Sequence, residues 1–344
     1  MRYSGKRAPD HNFLPLPPVY IHEGNTKMTR YLLAMALLTA TAAHAQQEGP
    51  APTQAVVTVD SKTPEAPTAA NITIKVNNRD TPVSSLTPIT PDGTQVALLM
   101  DDGLRLGIGR EIGAIRAFIN NFPPGVEVFA GYMQNGIVVP AGDVATFSTD
   151  HAAIAKTIHL PSGIAYSSAS PYFCLSQFVK NWPGDPETQT GPQPAPRRKA
   201  RFILMITNGV DNYNGSTSVL NQDSPYVAST IVDAQRAGVP VYSIFFDDQG
   251  FRRNGSGQNF SGQNYLTQLA EGTGGVNLWQ GFGNPVSTDP FLAQFQKAVA
   301  QSYVVTFPVG GNRNLERFKV STNMKKTKLR APELVRPGTV ILSQ

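Results

Sequence analysis

Residues Val96-Ala97-Leu98-Leu99-Met100 are apolar at every position and run straight into Asp101 and Asp102. A strand with one face in water alternates apolar and polar residues. One that is apolar throughout is covered on both faces, which calls for a parallel sheet with helices on either side. The pattern recurs at Phe202-Ile203-Leu204-Met205-Ile206, which ends in Thr207-Asn208-Gly209-Val210-Asp211, and at Val239 to Phe246, which ends in Asp247-Asp248. Ligands of such sheets meet the carboxyl ends of the strands. The polar residues after these runs are therefore the first candidates for function.

The stretches between the runs have helical period. Ile108, Ile112, Ile115, Ile119 and Phe122 recur at alternating spacings of four and three and line one helix face, which Pro123-Pro124-Gly125 ends. A second strand starts at Val126, and Asn135-Gly136 is a hairpin turn that makes Ile137 to Val139 an antiparallel third strand. Helices are expected over 150–159 and 171–182, the latter burying Leu175, Phe178, Val179 and Trp182. Val227, Ile231, Ala234 and Gly238 mark another, followed by a loop to about Gly262, a helix over 265–270 and a short strand over 276–279. A last helix spans 290–302, with Asp289 as its cap and Leu292, Phe295 and Val299 inward. Strand and helix alternating in this way give an α/β fold with a doubly wound, mostly parallel sheet.

The flanks read differently. Arg30, an apolar run from Tyr31 and Ala43-His44-Ala45 form a signal peptide, with Met28 the natural start and residues before it a spurious extension. Residues 1–45 are thus expected to be absent from an exported protein that begins at Gln46. From 46 to 70 the chain is rich in Pro, Thr and Ala and reads as a tether. Residues 71–94 hold a half-exposed strand, Ile72, Ile74 and Val76 facing inward, and then a loop from Leu86 to Gly93. The proline-rich stretch 183–199 reads as a surface insert. After the main domain, 95–302, the extension 303–344 contains Tyr303 to Phe307 and Arg317 to Thr322 as a hairpin and a further strand at Thr339 to Leu342. These strands and Ile72 to Val76 are expected to build a small accessory β-sheet, because each otherwise leaves its backbone groups unpaired.

Composition removes several function classes. The segment 1–45 carries five Lys or Arg and two Asp or Glu, so removing it takes the net charge of the chain from +5 to +2, and basicity gives no reason to expect nucleic acid. Its apolar run is too short to span a bilayer. A single cysteine, Cys174, leaves no intrachain disulfide and no Cys-x-x-Cys metal site. Only His151 and His159 follow residue 45, which is too few for a histidine-rich centre.

The order of elements, the acidic end of the first strand, Thr207-Asn208-Gly209-Val210-Asp211 after the fourth and Leu266 to Gly275 together resemble the von Willebrand factor A domain family, and its exported, acidobacterial-type branch through Ser170-Pro171-Tyr172-Phe173 and Trp182-Pro183. The resemblance covers residues 95–302. It implies a Rossmann-like sheet ordered 3-2-1-4-5-6 and, at its top, a metal-ion-dependent adhesion site. Asp101 matches the first aspartate of that site, but Gly103 and Arg105 stand where the family has serines, and Asn208 stands where it has a second aspartate. The loop threonine has Ser167, Ser168 or Ser170 in its place. The implied site is thus degenerate, its rim formed by Asp101, Gly103, Arg105, Ser168, Asn208 and Asp211, with the Arg105 guanidinium supplying charge where the family holds a cation.

The expected function is an exported, periplasmic or extracellular, non-enzymatic adhesion module that binds a protein ligand without a cofactor. The alternatives are a Mg- or Ca-dependent adhesion protein, with Asp101 and Asp211 as ligands within a rearranged site that also draws on Asp102, Asp247 and Asp248, and a metal-dependent hydrolase using the same carboxylates. Gly107-Ile108-Gly109 has no third glycine and no acidic ribose partner, which argues against a nucleotide. Cys174 sits beside the buried stripe of its helix and reads as core. Two basic clusters, Arg197-Arg198-Lys199 with Arg201 and Lys325, Lys326, Lys328 with Arg330, read as protected sheet edges or as contacts for an acidic partner.

Overall fold

The computed structural model describes residues 50–62, 65–163, 168–185, 197–211, 213, 224–247, 257–281, 283–310 and 314–342, without the side chains of 105, 106, 197 and 257–260. The signal segment and the centre of the 183–199 insert therefore lie outside the described residues. From Glu48 onward the chain is one compact unit. Its elements in order are β1 (Ala51–Ser61), β2 (Ile72–Val76), β3 (Arg79–Thr81), β4 (Ser85–Pro88), β5 (Thr94–Asp101), α1 (Arg105–Gly109), α2 (Ile112–Asn120), β6 (Glu127–Gln134), β7 (Ile137–Pro140), α3 (His151–Thr157) and α4 (Pro171–Lys180). They continue with β8 (Arg197–Thr207), α5 (Val227–Ala237), β9 (Val241–Phe245), α6 (Gly257–Thr273), β10 (Asn277–Leu278), α7 (Asp289–Ala300), β11 (Ser302–Val309), β12 (Glu316–Thr322), β13 (Thr327–Arg330), β14 (Leu334–Val335) and β15 (Val340–Leu342).

The central sheet runs β10-β9-β8-β5-β6-β7. Read from its other edge this is the order 3-2-1-4-5-6, parallel except for β7. The unbroken apolar runs are explained by two cores. Val96, Leu98, Met100, Phe202, Leu204 and Ile206 pack under α2, α3 and α7, while Ala97, Leu99, Ile203 and Met205 pack under α4, α5 and α6. Each Val, Leu, Ile, Met or Phe among them, removed from water, contributes about 1.5–3 kcal/mol. The β6–β7 turn has Asn135 and Gly136 both at positive φ, 47° and 83°, the conformation a two-residue hairpin needs.

Several boundaries differ from expectation. The tether contains β1, in which Ala55, Val56, Val57 and Val59 are buried and which pairs with β11 on one side and β13 on the other. Prolines at 50, 52, 64 and 67 bracket this run and dominate the composition of the segment, which hides a four-residue core. The 86–93 loop includes part of β4, which also pairs with β11. The long helix face after Arg105 is broken at Arg110 and Glu111 into α1 and α2. Residues 197–199, assigned to the insert, begin β8, and α6 starts at Gly257 within the expected loop. The cap of α7 is Thr288, not Asp289.

The accessory strands form two sheets, not one: β13-β1-β11-β4 and β14-β12-β2-β3. β2 does pair with β12, joining the amino-terminal strand to the carboxyl-terminal extension. However, β11 and β12 are not a hairpin. They belong to opposite layers, and Phe307 stacks on Phe318 across the layer gap at 4.9 Å. Val56 and Val304 extend from the other face of the β1 sheet into the central core. β15 joins the central sheet, parallel to the start of β8.

Candidate functional site

β5 and β8 are parallel neighbours with Met100 opposite Ile206, so Asp101 and Thr207 arrive side by side at the carboxyl rim. Asp101 is 3% exposed and Thr207 is 0% exposed. Thr207 Oγ1 donates to Asp101 Oδ2 at 2.8 Å, Ser168 Oγ donates to the same oxygen at 3.2 Å, and Gly103 N donates to Oδ1 at 3.0 Å. The position of Ser168 is fixed by its own carbonyl, which accepts from Gly136 N, Ser170 N and Cys174 Sγ. Ala169 turns the chain between them at φ 61°, in the left-handed region.

A second carboxylate network lies alongside. Ser170 caps α4 by accepting from Phe173 N, and its hydroxyl donates to Asp211 Oδ2 at 2.8 Å. Ser224 Oγ donates to the same oxygen, and Tyr213 N to Oδ1 at 2.9 Å. Asn208 turns its Oδ1 back onto Val210 N, forming a local turn. Gly209, at φ 68°, lies so close to Gly262 that a Cβ would stand 2.6 Å from its carbonyl oxygen, and Tyr172 Oη donates to Gly209 O at 2.7 Å. Asp102 accepts from Gln134 Nε2 and Ser162 N. Asp247 is buried on the same rim, and Asp248 lies outside the described residues.

Of the expected rim residues, Asp101, Gly103 and Ser168 are joined by hydrogen bonds. Asp211 holds a neighbouring network and Asn208 bridges neither. Of the three candidate serines, Ser168 faces Asp101, Ser170 faces Asp211, and Ser167 lies outside the described residues, as does the Arg105 side chain. Thr207, the last residue of its strand, donates to Asp101 at a shorter distance than Ser168 or Gly103 and was not expected to do so. The signal available was its place as the last residue of an apolar strand beside another that ends in aspartate. Glu111 was also missed: buried, it accepts from both Thr288 N and Thr288 Oγ1, which ties the α1–α2 corner to the start of α7.

Burial dominates the electrostatics. Desolvation pushes the Asp211 carboxyl up, against the hydrogen bonds from Ser224, Ser170 and Tyr213 N. The Cys174 thiol is pushed up to about 12 by burial and then by the Asp101 charge. That thiol is no nucleophile, and His151 and His159 bond elsewhere, to Val126 O and Thr157 O. Gly107 packs so tightly that a Cβ would stand 2.9 Å from the Phe246 ring, which gives that glycine a packing role in place of a phosphate loop. The first basic cluster is used internally: Lys199 pairs with Glu127 at 2.9 Å, and Arg201 pairs with Asp185 while lying over Trp182.

The resemblance implies a divalent cation at Asp101. Mg and Ca take six or more oxygen ligands, water among them. Here one carboxylate meets two hydroxyls, both of which donate to it, and the Asn208 oxygen is turned into its own backbone. Among the described residues no group of three or more His, Cys, Asp or Glu could hold a metal ion.

Around the two networks the rim is apolar. Seven large apolar side chains are exposed among the described residues; Ile137, Tyr213, Trp279 and Val286 follow the carboxyl ends of β6, β8 and β10, while Leu160, by Gly109, and Phe173, by Gly136, belong to the α3–α4 connection and the first turn of α4. Phe173 packs by Gly136 at the hairpin turn and lies 5.3 Å from the Tyr226 ring. Elsewhere among the described residues only Leu342 is comparable.

No protein-family model and no curated protein matches the chain. Among solved structures it is similar to a von Willebrand factor type A protein from Catenulispora acidiphila, at 9% identity over 86% of this chain and 75% of that one, with a TM-score of 0.40. It is also similar to the SpRpn10 VWA domain, at 11% identity over 59% and 94% of the two chains and a TM-score of 0.36. The human COPII-coat protein Sec24c is similar at 8% identity over 74% and 44%, with a TM-score of 0.36. No helix among the described residues is long and apolar enough to cross a membrane.

Proposed function

We propose that the chain is an exported, non-enzymatic protein-binding module of the von Willebrand A type, which recognises its partner with the carboxyl rim of the central sheet and needs no divalent cation to do so. The observation that carries this reading is the gathering of six exposed apolar side chains on and beside that rim, around polar groups already held by internal hydrogen bonds. Aromatic anchors such as Phe173, Tyr213 and Trp279 are the residue types that dominate binding energy at protein interfaces. The Asp211 network ties down the segments that carry Phe173 and Tyr213, so that less ordering is required there on association. The reading assigns no catalysis. Export rests on the sequence of residues 28–45.

The test is site-specific photo-crosslinking in the native envelope fraction with chelator present. A photoreactive side chain at Phe173 and, separately, at Trp279 is expected to capture the same protein, while one at Leu342 captures nothing comparable. Capture from Leu342 alone, or only after Mg or Ca is restored, would contradict the proposal.

A further inference from the structure

A cleft of about 160 Å³ opens where the accessory sheet meets the edge of the central domain, lined in part by Thr58, Asp60, Tyr242, Leu278, Lys297 and Arg330. It lies between β1 and β13 on one side and β9, β10 and α7 on the other, away from the carboxyl rim. Thr58 is opposite Arg330 in the antiparallel ladder, so Thr58, Asp60 and Arg330 project from one face of the β1 sheet. The back wall is rigid: Thr58 Oγ1 is 3.2 Å from Tyr242 Oη and 2.9 Å from Ser302 Oγ, all three residues being buried. Val276, Leu278 and Ala298 supply apolar surface.

Asp60 and Arg330 stand on one wall of this cleft and Lys297 on the other. Asp60 is on β1, Arg330 on β13 and Lys297 on α7, and among the described residues none of the three takes part in an ion pair. Lys328, opposite Asp60 in the ladder, is exposed and also makes no ion pair. Both Asp60 and Arg330 are close enough to act on the Tyr242 hydroxyl, which burial pushes up. A carboxylate and two cations that line a partly apolar cleft without an ion pair among them suit a ligand that carries both signs of charge. Its volume is well below the roughly 300–1,000 Å³ of sites for drug-sized molecules, which limits the occupant to a single small metabolite.

We propose that this cleft binds a free α-amino acid, its carboxylate recognised by Arg330 and Lys297, its ammonium by Asp60 and its side chain by Val276, Leu278 and Ala298. A guanidinium supplies the planar pair of donors that a carboxylate matches. The proposal is independent of the rim and its partner, and it gives Arg330, part of the second basic cluster, a role beyond protecting a sheet edge.

The experiment is calorimetric titration of the full chain with the common α-amino acids one at a time. The tightest is then compared with its N-acetyl derivative, which lacks the ammonium, and with the corresponding amine, which lacks the carboxylate. Saturable binding of the amino acid is expected, with each analogue weaker by about tenfold or more. Asp60→Asn should bring the amino acid down to the level of the N-acetyl derivative, and Arg330→Gln to that of the amine, with circular dichroism unchanged. No binding of any amino acid at millimolar concentration would overturn the proposal. So would N-acetyl derivative binding equal to that of the parent, or unaltered affinity in both variants.

Discussion

Thr207 Oγ1 gives its proton to Asp101 Oδ2 at 2.8 Å and accepts Gly209 N at 3.1 Å, so one buried hydroxyl ties the ends of two neighbouring strands to the loop that follows. Valine keeps the β-branched shape that a strand favours while removing both bonds. Thr207→Val should therefore lower stability by about 1–3 kcal/mol, the cost of removing one donor from buried Asp101 and the acceptor of Gly209 N. Ser168→Ala, which loses a longer bond from a loop, should cost less. Urea unfolding of the two variants checks the order; equal or reversed losses would contradict it.

How much of this was legible in the sequence follows from the range of the forces involved. The central sheet could be read because Val96 to Met100 and Phe202 to Ile206 are buried on both faces, and a run without a polar residue reports that directly. Asp101 and Asp211 could be placed at the rim because each follows such a run. Their hydroxyl partners could not, since Ser168 reaches Asp101 across 67 positions by a loop with no periodicity. β1 was hidden because only a few valines carry it. The separation of β11 from β12 was hidden because proximity along the chain favours a hairpin, whereas Val305 and Phe307 gain more by facing Phe318 across a layer gap.

Cys174 gives a pH dependence with a definite sign. Its thiol is raised from 9.0 to about 12 in the folded chain, by burial first and by the Asp101 charge second. Above pH 9 the unfolded thiol loses its proton while the folded one keeps it, so this contribution to stability is complete below pH 9 and declines as pH rises toward 12. Wild-type stability should fall more steeply than that of Cys174→Ala as pH rises from 9 toward about 12. A native thiol should also resist a thiol-specific reagent until the chain unfolds; stoichiometric labelling of the folded protein would refute the burial.

β1 connects the accessory layers to the central core, with Val57 facing one and Val56 the other. A chain that begins at Glu48 should melt like the full-length protein. One that begins at Glu65 loses three buried valines and the partner of both β11 and β13, so it should lose several kcal/mol and the cooperativity of the accessory sheets, at roughly 1.5–3 kcal/mol per buried valine. Calorimetry of the two chains decides this; coincident transitions would return the segment to the status of a tether.

The proposal that hydroxyls and the Gly103 amide hold Asp101 without a cation is tested most directly by thermal unfolding of the full chain in chelator and then in millimolar Mg or Ca. The account predicts the same melting temperature in all three, and a metal-dependent rise only when Gly103→Ser, Arg105→Ser and Asn208→Asp are combined. A wild-type melting temperature that climbs with Mg or Ca and falls with chelator would contradict it.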